Sequence, residues 1–274
     1  MRIKLSKVTL NIEEYSYDSS EKDYIFFLHG FSGSAKDWNK IIPALNHDFH
    51  FISIDIIGHG QSDSPGDLSF YTSEAVVEQI NELILYFTNK PVIIAGYSMG
   101  GRAALTFALK YPQMLKGLIL ESASAGIIEE DLRKERAEAD EKLAEFIKTH
   151  SMEEFVNYWM NFSLFISQMN LPDEKLEEIR RIKINNSKAG LSNSLRGFGT
   201  GKMPAILPKD IESITAKTLL ISGELDLKYT GINTVLVKIF PDASHVIIKN
   251  AGHNIHLEQP SSFINVINDF LDKF

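Results

Sequence analysis

Cysteine is absent from the 274-residue chain. That excludes a disulfide framework, a thiolate metal site and a cysteine nucleophile. Basic residues are outnumbered, with 28 Lys and Arg against 36 Asp and Glu and a formal charge of −8. A nucleic-acid partner would favour a basic face, so none is expected. Anionic small molecules stay in play, because a pocket can be locally positive inside an acidic protein. No apolar run approaches the ~20 residues needed to span a membrane. The N-terminus also lacks the apolar core of a signal peptide. A cytoplasmic protein that acts away from membranes is the expectation. Internal repeats and low-complexity segments are missing too. What remains is 44% hydrophobic and 23% charged residues, an ordinary globular composition able to fill a core. At ~100–200 residues per domain, the length allows one large domain or two small ones.

Two regimes follow one another along the chain. Met1–Leu10 alternates apolar and polar residues, a strand pattern. From Tyr24 to Ser122, short apolar runs (Tyr24–Leu28, Phe49–Ile54, Val92–Tyr97, Leu115–Leu120) alternate with amphipathic stretches such as Thr72–Phe87. Strands that are apolar throughout belong to a parallel sheet covered on both faces, and their alternation with helices predicts a doubly wound α/β fold. From about Ala123 to Pro208 the strand runs give way to helical spacing at 129–150, 151–161, 172–185 and 187–196. The α/β pattern then resumes with Thr218–Ser222, a helix near Ile232–Phe240, Ser244–Lys249 and a helix over Pro260–Phe274. The expected organisation is a core from residues 1–122 and 209–274, interrupted by a helical cap from 123–208.

The sharpest local signal is Gly96-Tyr97-Ser98-Met99-Gly100-Gly101, which follows a strand run and opens a helical pattern. It is a G-x-S-x-G nucleophile elbow in the required strand–turn–helix context. The strained turn leaves no room for side chains at the flanking positions, so Gly96 and Gly100 are small. A serine hydroxyl is unreactive unless a histidine takes its proton and an acid orients that histidine. Asp226, just past the Thr218–Ser222 run, and His253, just past the Ser244–Lys249 run, supply both; Glu224 is the nearest alternative acid. All three positions fall beyond strand ends, where open α/β sheets carry their sites. Leu28-His29-Gly30-Phe31 follows the first core run, which points to the backbone N–H groups of Phe31 and Met99 as an oxyanion hole. His29 itself reads as a hydrogen-bonded structural residue. The acidic turn Asp55–Asp63 matches no metal-binding loop, and Gly197–Met203 fails as a P-loop because Met203 occupies the Ser/Thr position.

On these motifs the chain resembles the α/β-hydrolase family over nearly its whole length. Within it, the chain looks most like the 2-succinyl-6-hydroxy-2,4-cyclohexadiene-1-carboxylate synthases of menaquinone biosynthesis. The segments that carry this are Gly96–Arg102, Leu195-Arg196-Gly197-Phe198-Gly199-Thr200-Gly201, Gly223–Lys228 and Gly252–Glu258. The resemblance implies a lyase that eliminates pyruvate from a cyclohexene bearing succinyl, enolpyruvyl and carboxylate groups. Ser98, His253 and Asp226 would act as its base, with no metal or cofactor. It also implies substrate contacts at Tyr97, Arg102, Arg136, Trp159 and Lys183. A substrate with three carboxylates needs cations, and arginine forks suit that task.

The chain departs from the resemblance in places. Lys183 stands where the family usually has a second cap arginine, with Arg180 and Arg181 nearby. Ser124-Ala125-Gly126 replaces Ser-Pro-Gly, and 202–207 lacks the usual Gln, Ser and Trp. The competing readings are a serine hydrolase working through an acyl-enzyme and a non-catalytic ligand receptor. The expected partner is an anionic small molecule, and the expected assembly a monomer or small homo-oligomer.

Overall fold

A computed structural model describes residues 1–15, 22–46 and 48–274. The first two strands, β1 (Arg2–Lys4) and β2 (Thr9–Tyr15), form an antiparallel hairpin with Ile3 opposite Leu10. The alternating N-terminal pattern is thus two strands rather than one. The chain reverses at Leu5–Val8, where Leu5 N–H donates to Val8 O at 2.8 Å. The mark of the reversal is the pair of exposed polar residues Ser6-Lys7, which interrupts the alternation between buried Leu5 and Val8.

The core continues as β3 (Asp23–Leu28), β4 (Phe49–Ile54), α1 (Ser73–Phe87), β5 (Val92–Tyr97), α2 (Met99–Lys110) and β6 (Leu115–Glu121). Next come α3 (Glu130–Thr149), α4 (Met152–Met160), α5 (Asp173–Ile184), α6 (Lys188–Phe198) and the single turn α7 (Pro208–Ile211). The chain then returns to the sheet with β7 (Lys217–Gly223), α8 (Leu227–Leu236), β8 (Ala243–Ile248), the single turn α9 (Ile255–Glu258) and α10 (Pro260–Leu271). The described residues form one eight-stranded sheet in the order β1-β2-β4-β3-β5-β6-β7-β8, parallel from β4 to β8. The doubly wound α/β expectation is met. Every residue of β4 and β5 is buried, as strands covered on both faces must be. One face packs Val77, Ile80, Leu83 and Ile84 of α1 and Phe107 of α2 into the core; the other packs Phe263, Ile267 and Phe270 of α10.

Strand β3 pairs with β4 on one side and β5 on the other, so successive crossovers leave in opposite directions beyond its end. That is a topological switch point, where such sheets open a crevice. The register sets Leu28 beside Gly96, which brings the chain after β3 alongside the elbow after β5.

Between β6 and β7 the described residues contain helices and no strand. Ser151 caps α4 in a capping box with Glu154, and Ser187 caps α6 at the Gly190 N–H. Ala144, Ile147, Phe155, Val156, Leu191 and Leu195 form a cluster of their own. Phe198, Met203 and Ile206, at the end of this stretch, pack into the sheet's core instead. Helix α6 lies almost backbone to backbone on the core. A Cβ on Gly190 would sit 2.2 Å from Gly58 O, and one on Gly197, two turns later, 2.6 Å from Tyr71 Cβ. Helix α8 begins five residues before its expected start, because the Asp226 side chain accepts the Tyr229 N–H and caps it there.

Candidate active site

Ser98 sits between β5 and α2 with φ 49° and ψ −103°. A non-glycine residue in this region is strained and persists only where its surroundings over-determine it. Here they do. A Cβ on Gly96 would lie 2.4 Å from Gly100 O, and one on Gly100 would lie 2.3 Å from Leu28 O. The Ser98 N–H donates to Glu121 O at 2.9 Å. Backbone therefore crowds the turn from both sides, and the Ser98 side chain is left standing over the N-terminus of α2.

His253 Nε2 lies 3.0 Å from Ser98 Oγ, and its Nδ1 lies 2.7 Å from Asp226 Oδ2. The ring is 1% exposed and Asp226 is 7% exposed. With its Nδ1–H donated to Asp226, His253 turns Nε2 to Ser98 as the acceptor for the hydroxyl proton. The other Asp226 oxygen takes the Tyr229 N–H at 3.2 Å, so the carboxylate cannot swing away. Glu258 fixes the histidine loop by accepting the Gly252 N–H at 2.7 Å and the Asn254 N–H at 3.2 Å, on either side of His253. Glu224 faces solvent and accepts the Asn250 N–H at 3.1 Å. It is not the acid that meets His253.

Phe31 and Met99 both line the cleft above Ser98. Met99 is the first residue of α2, and the first N–H groups of a helix have no partner within it. His29 is spent on the backbone: Nδ1 donates to Gly30 O at 2.7 Å and Nε2 accepts the Ile56 N–H at 3.0 Å. Burial holds this imidazole neutral, with its pKa lowered to about 4. Asp55, in the acidic turn, accepts from Ala35 N, Gln61 N and Asn11 Nδ2 at 2.6, 2.8 and 2.9 Å. Its oxygens organise the turn.

The cleft holds about 930 Å³, its open mouth included. All five residues expected to contact substrate line it: Tyr97, Arg102, Arg136, Trp159 and Lys183. Their partners differ sharply. Arg136 Nε pairs with the buried Asp140 at 2.8 Å. Arg102 is 7% exposed, yet its contacts are the Met203 thioether sulfur at 3.1 Å and Phe198 O at 3.4 Å. No carboxylate lies within ion-pair distance of it among the described residues. Burial lowers its pKa to about 10, which still leaves it a cation at neutral pH. Lys183 Nζ reaches Ser32 Oγ at 3.2 Å, and burial lowers its pKa as well. Arg180 bonds Asn157 and Arg181 faces Glu177 at 4.0 Å, both at the surface, so Lys183 is the α5 cation that reaches the cleft.

Two further groups await partners. The Trp159 indole Nε1 and the Asn254 side-chain oxygen are buried without a hydrogen bond, and both residues line the cleft. Tyr229 also lines it, with its ring 4.5 Å from that of His253. Sequence reasoning passed over Asn254 and Tyr229, although each adjoins a motif: Asn254 follows His253, and Tyr229 sits one turn past Asp226. The cleft has one acidic liner, Asp37, whose carboxyl is pushed up by burial.

The sequence pattern of the alpha/beta hydrolase fold matches residues 23–260. A protein of Bacillus subtilis (strain 168), provisionally named 2-succinyl-6-hydroxy-2,4-cyclohexadiene-1-carboxylate synthase, is 39% identical over 244 residues, 89% of this chain and 88% of that one. The 2-succinyl-6-hydroxy-2,4-cyclohexadiene-1-carboxylate synthase of Enterobacter sp. (strain 638) is 28% identical, over 87% of this chain and 88% of its own. Among solved structures, MenH from S. aureus superposes with a TM-score of 0.91 at 31% identity, covering 96% of this chain and 98% of that one.

Proposed function

The chain belongs to the α/β-hydrolase family, and from that premise we propose that it is a pyruvate-eliminating lyase. Its substrate would be 2-succinyl-5-enolpyruvyl-6-hydroxy-3-cyclohexene-1-carboxylate and its product 2-succinyl-6-hydroxy-2,4-cyclohexadiene-1-carboxylate, an intermediate of menaquinone biosynthesis. In this reading 123–208 is a cap over a core made by 1–122 and 209–274. The named relatives support the reaction, and the observation that carries it is Arg102: a buried guanidinium beside the nucleophile with a thioether and one long carbonyl contact for company. Leaving such a charge unpaired is costly unless a ligand brings the anion. An ester pocket would gain nothing from it.

The chemistry is a proton abstraction followed by loss of a leaving group. His253 Nε2 takes the proton of Ser98, and the alkoxide removes the ring proton at C2, next to the succinyl ketone. Electrons move through the existing C3=C4 bond, C2=C3 and C4=C5 form, and the C5–O bond breaks. The enolpyruvyl oxygen leaves as the enolate, takes a proton at carbon and becomes pyruvate. That proton restores the balance when His253 and Ser98 return to their resting forms. Charge that builds on the ketone oxygen falls to the Phe31 and Met99 N–H groups, fixed donors of the kind that lower such barriers. Asp226 holds His253 in the tautomer the step needs. Arg102, Arg136 and Lys183 meet the carboxylates, and the Trp159 N–H supplies one more donor.

The same serine, histidine and N–H groups could attack an ester, which is the second reading. The deciding experiment follows diene absorbance and released pyruvate together on the enolpyruvyl substrate, with an aryl ester in parallel. Stoichiometric diene and pyruvate are expected. An ester burst without diene would overturn the lyase.

A further inference from the structure

Ser98 and His253 are 155 positions apart in sequence, and something must set the gap between them. One residue touches the supports of both. Glu121, the last residue of β6, accepts the Ser98 N–H on its backbone carbonyl at 2.9 Å. Its carboxylate accepts the His256 N–H at 3.0 Å and the His256 Nδ1–H at 2.7 Å. His256 opens the first turn of α9, three residues beyond His253. Both side chains are at most 1% exposed.

The pair is walled in by rings. His256 stacks on Trp38 with centroids 4.3 Å apart and meets the Tyr97 ring edge-on at 5.1 Å. Tyr97 in turn lies 5.4 Å from His253. The His256 Nε2 has no hydrogen-bond partner among the described residues, so Glu121 alone fixes the ring through directional contacts. A carboxylate buried this deeply is a poor way to add stability, since an apolar pair of the same volume would pack as well without the desolvation cost. What an apolar pair could not do is tie His256, by its backbone and its ring, to the end of β6 through two directional bonds, at the same residue whose backbone carbonyl holds Ser98.

We propose that Glu121 and His256 are positioning residues, a buried strut that sets the Ser98–His253 distance from behind. The proposal rests on Ser98 and His253 being the reacting pair, and on no particular substrate. If the strut works this way, losing it leaves substrate binding intact and lowers reactivity at the serine.

The test compares wild type with Glu121→Gln, His256→Phe and the double variant. Gln keeps the volume of Glu121 but presents an amide N–H₂ or a weaker acceptor to Nδ1–H; Phe keeps the stack on Trp38 and the backbone N–H to Glu121 but loses the ring's Nδ1–H bond. The first readout is the rate at which a fluorophosphonate modifies Ser98, followed by intact mass. The second is kcat and KM for diene formation, at equal folded fraction by circular dichroism. Each single variant is expected to lose at least about tenfold in phosphonylation rate and in kcat, the scale of a small misplacement of reacting groups. KM should stay within about twofold. The double variant should be no worse than the poorer single one, because both remove the same strut. Folded variants that react within twofold of wild type would overturn the proposal, as would losses that multiply in the double variant or appear in KM alone. If neither single variant folds, the pair serves folding and the proposal falls. A wild type inert to fluorophosphonate would instead sink the serine–histidine reading. A wild type that is phosphonylated but makes no diene would sink only the choice of substrate.

Discussion

Ser98, His253 and Asp226 are paired with one another, whereas most of the cationic and amide groups that line the cleft around them are not. Arg136 has the buried Asp140, but Arg102, Lys183, Trp159 and Asn254 have weak partners or none among the described residues. Ser98, His253 and Asp226 form an unbroken chain of hydrogen bonds at 3.0 and 2.7 Å, with Glu258 and the Tyr229 N–H securing its far end. Arg102, on the helix that Ser98 opens, rests on a sulfur and one long carbonyl contact, Lys183 on one hydroxyl, and the Trp159 N–H on nothing among the described residues. On the proposed reaction the difference separates two tasks. Groups that move protons must be in place before substrate arrives, whereas groups that bind anions gain most when the ligand is their best partner.

The comparison can be broken on either side. Ser98→Ala strikes the paired side and should have the largest effect, a loss on the order of 10³-fold or more in kcat with folding unchanged. Rates within a few-fold of wild type would remove Ser98 from the chemistry. Acid comes next. His29 has its pKa lowered to about 4 and His59 to about 3, both chiefly by burial. Their native forms bind fewer protons than the unfolded chain between about pH 6.5 and those values, so stability should fall as pH drops through that window. Denaturation midpoints at pH 7 and pH 5 check it, and equal midpoints would refute the buried neutral histidines. Third, Arg102→Met should cut kcat/KM on the trianionic substrate about 100-fold, the scale of one charge-assisted bidentate pair, mostly through KM. An unchanged KM would mean that Arg102 meets no carboxylate. The smallest effect belongs to Lys183→Arg, a change of about threefold or less, since the charge is kept and a fork gained. A loss beyond tenfold would show that the Lys183 contact with Ser32 is itself required.

The two sets of groups were also unequally legible in the sequence. Ser98, Asp226 and His253 sit at strand ends inside motifs that the strained elbow and strand edges demand, so local pattern sufficed to find them. The strands read almost residue for residue, as with Phe49–Ile54, because a buried parallel strand leaves a continuous apolar run. The N-terminal hairpin escaped because its two strands read as one run, although the alternation breaks at Ser6-Lys7, the two exposed polar residues of the turn. The start of α8 escaped because apolar spacing at 232–240 outweighed the cap at Asp226. Arg136, Trp159 and Lys183 came from resemblance rather than pattern: nothing in their spacing says that three helices bring them to one cleft. Glu121 and His256 lie 135 positions apart and carry no motif, so only the fold brings them together.

The stretch 151–172 has a mechanical property that the rest of the cleft lacks. Among the described residues no hydrogen bond ties it to the sheet or its loops; it touches them through packing, Trp159 on Phe31 at 5.3 Å, Phe165 on His253 at 5.9 Å, and Ser167 against Gly252, where a Cβ would lie 1.9 Å from the Ser167 Oγ. Helix α6 is seated by Gly190 and Gly197, and the end of α5 is tied where Asn186 bonds Ser32 O and the Gly60 N–H, at 2.9 and 2.8 Å. Packing contacts are short-ranged but weakly directional, so this wall is held with less directional constraint than α6 or the end of α5. The cleft is built like a vice with one jaw less firmly pinned, and that jaw carries the indole.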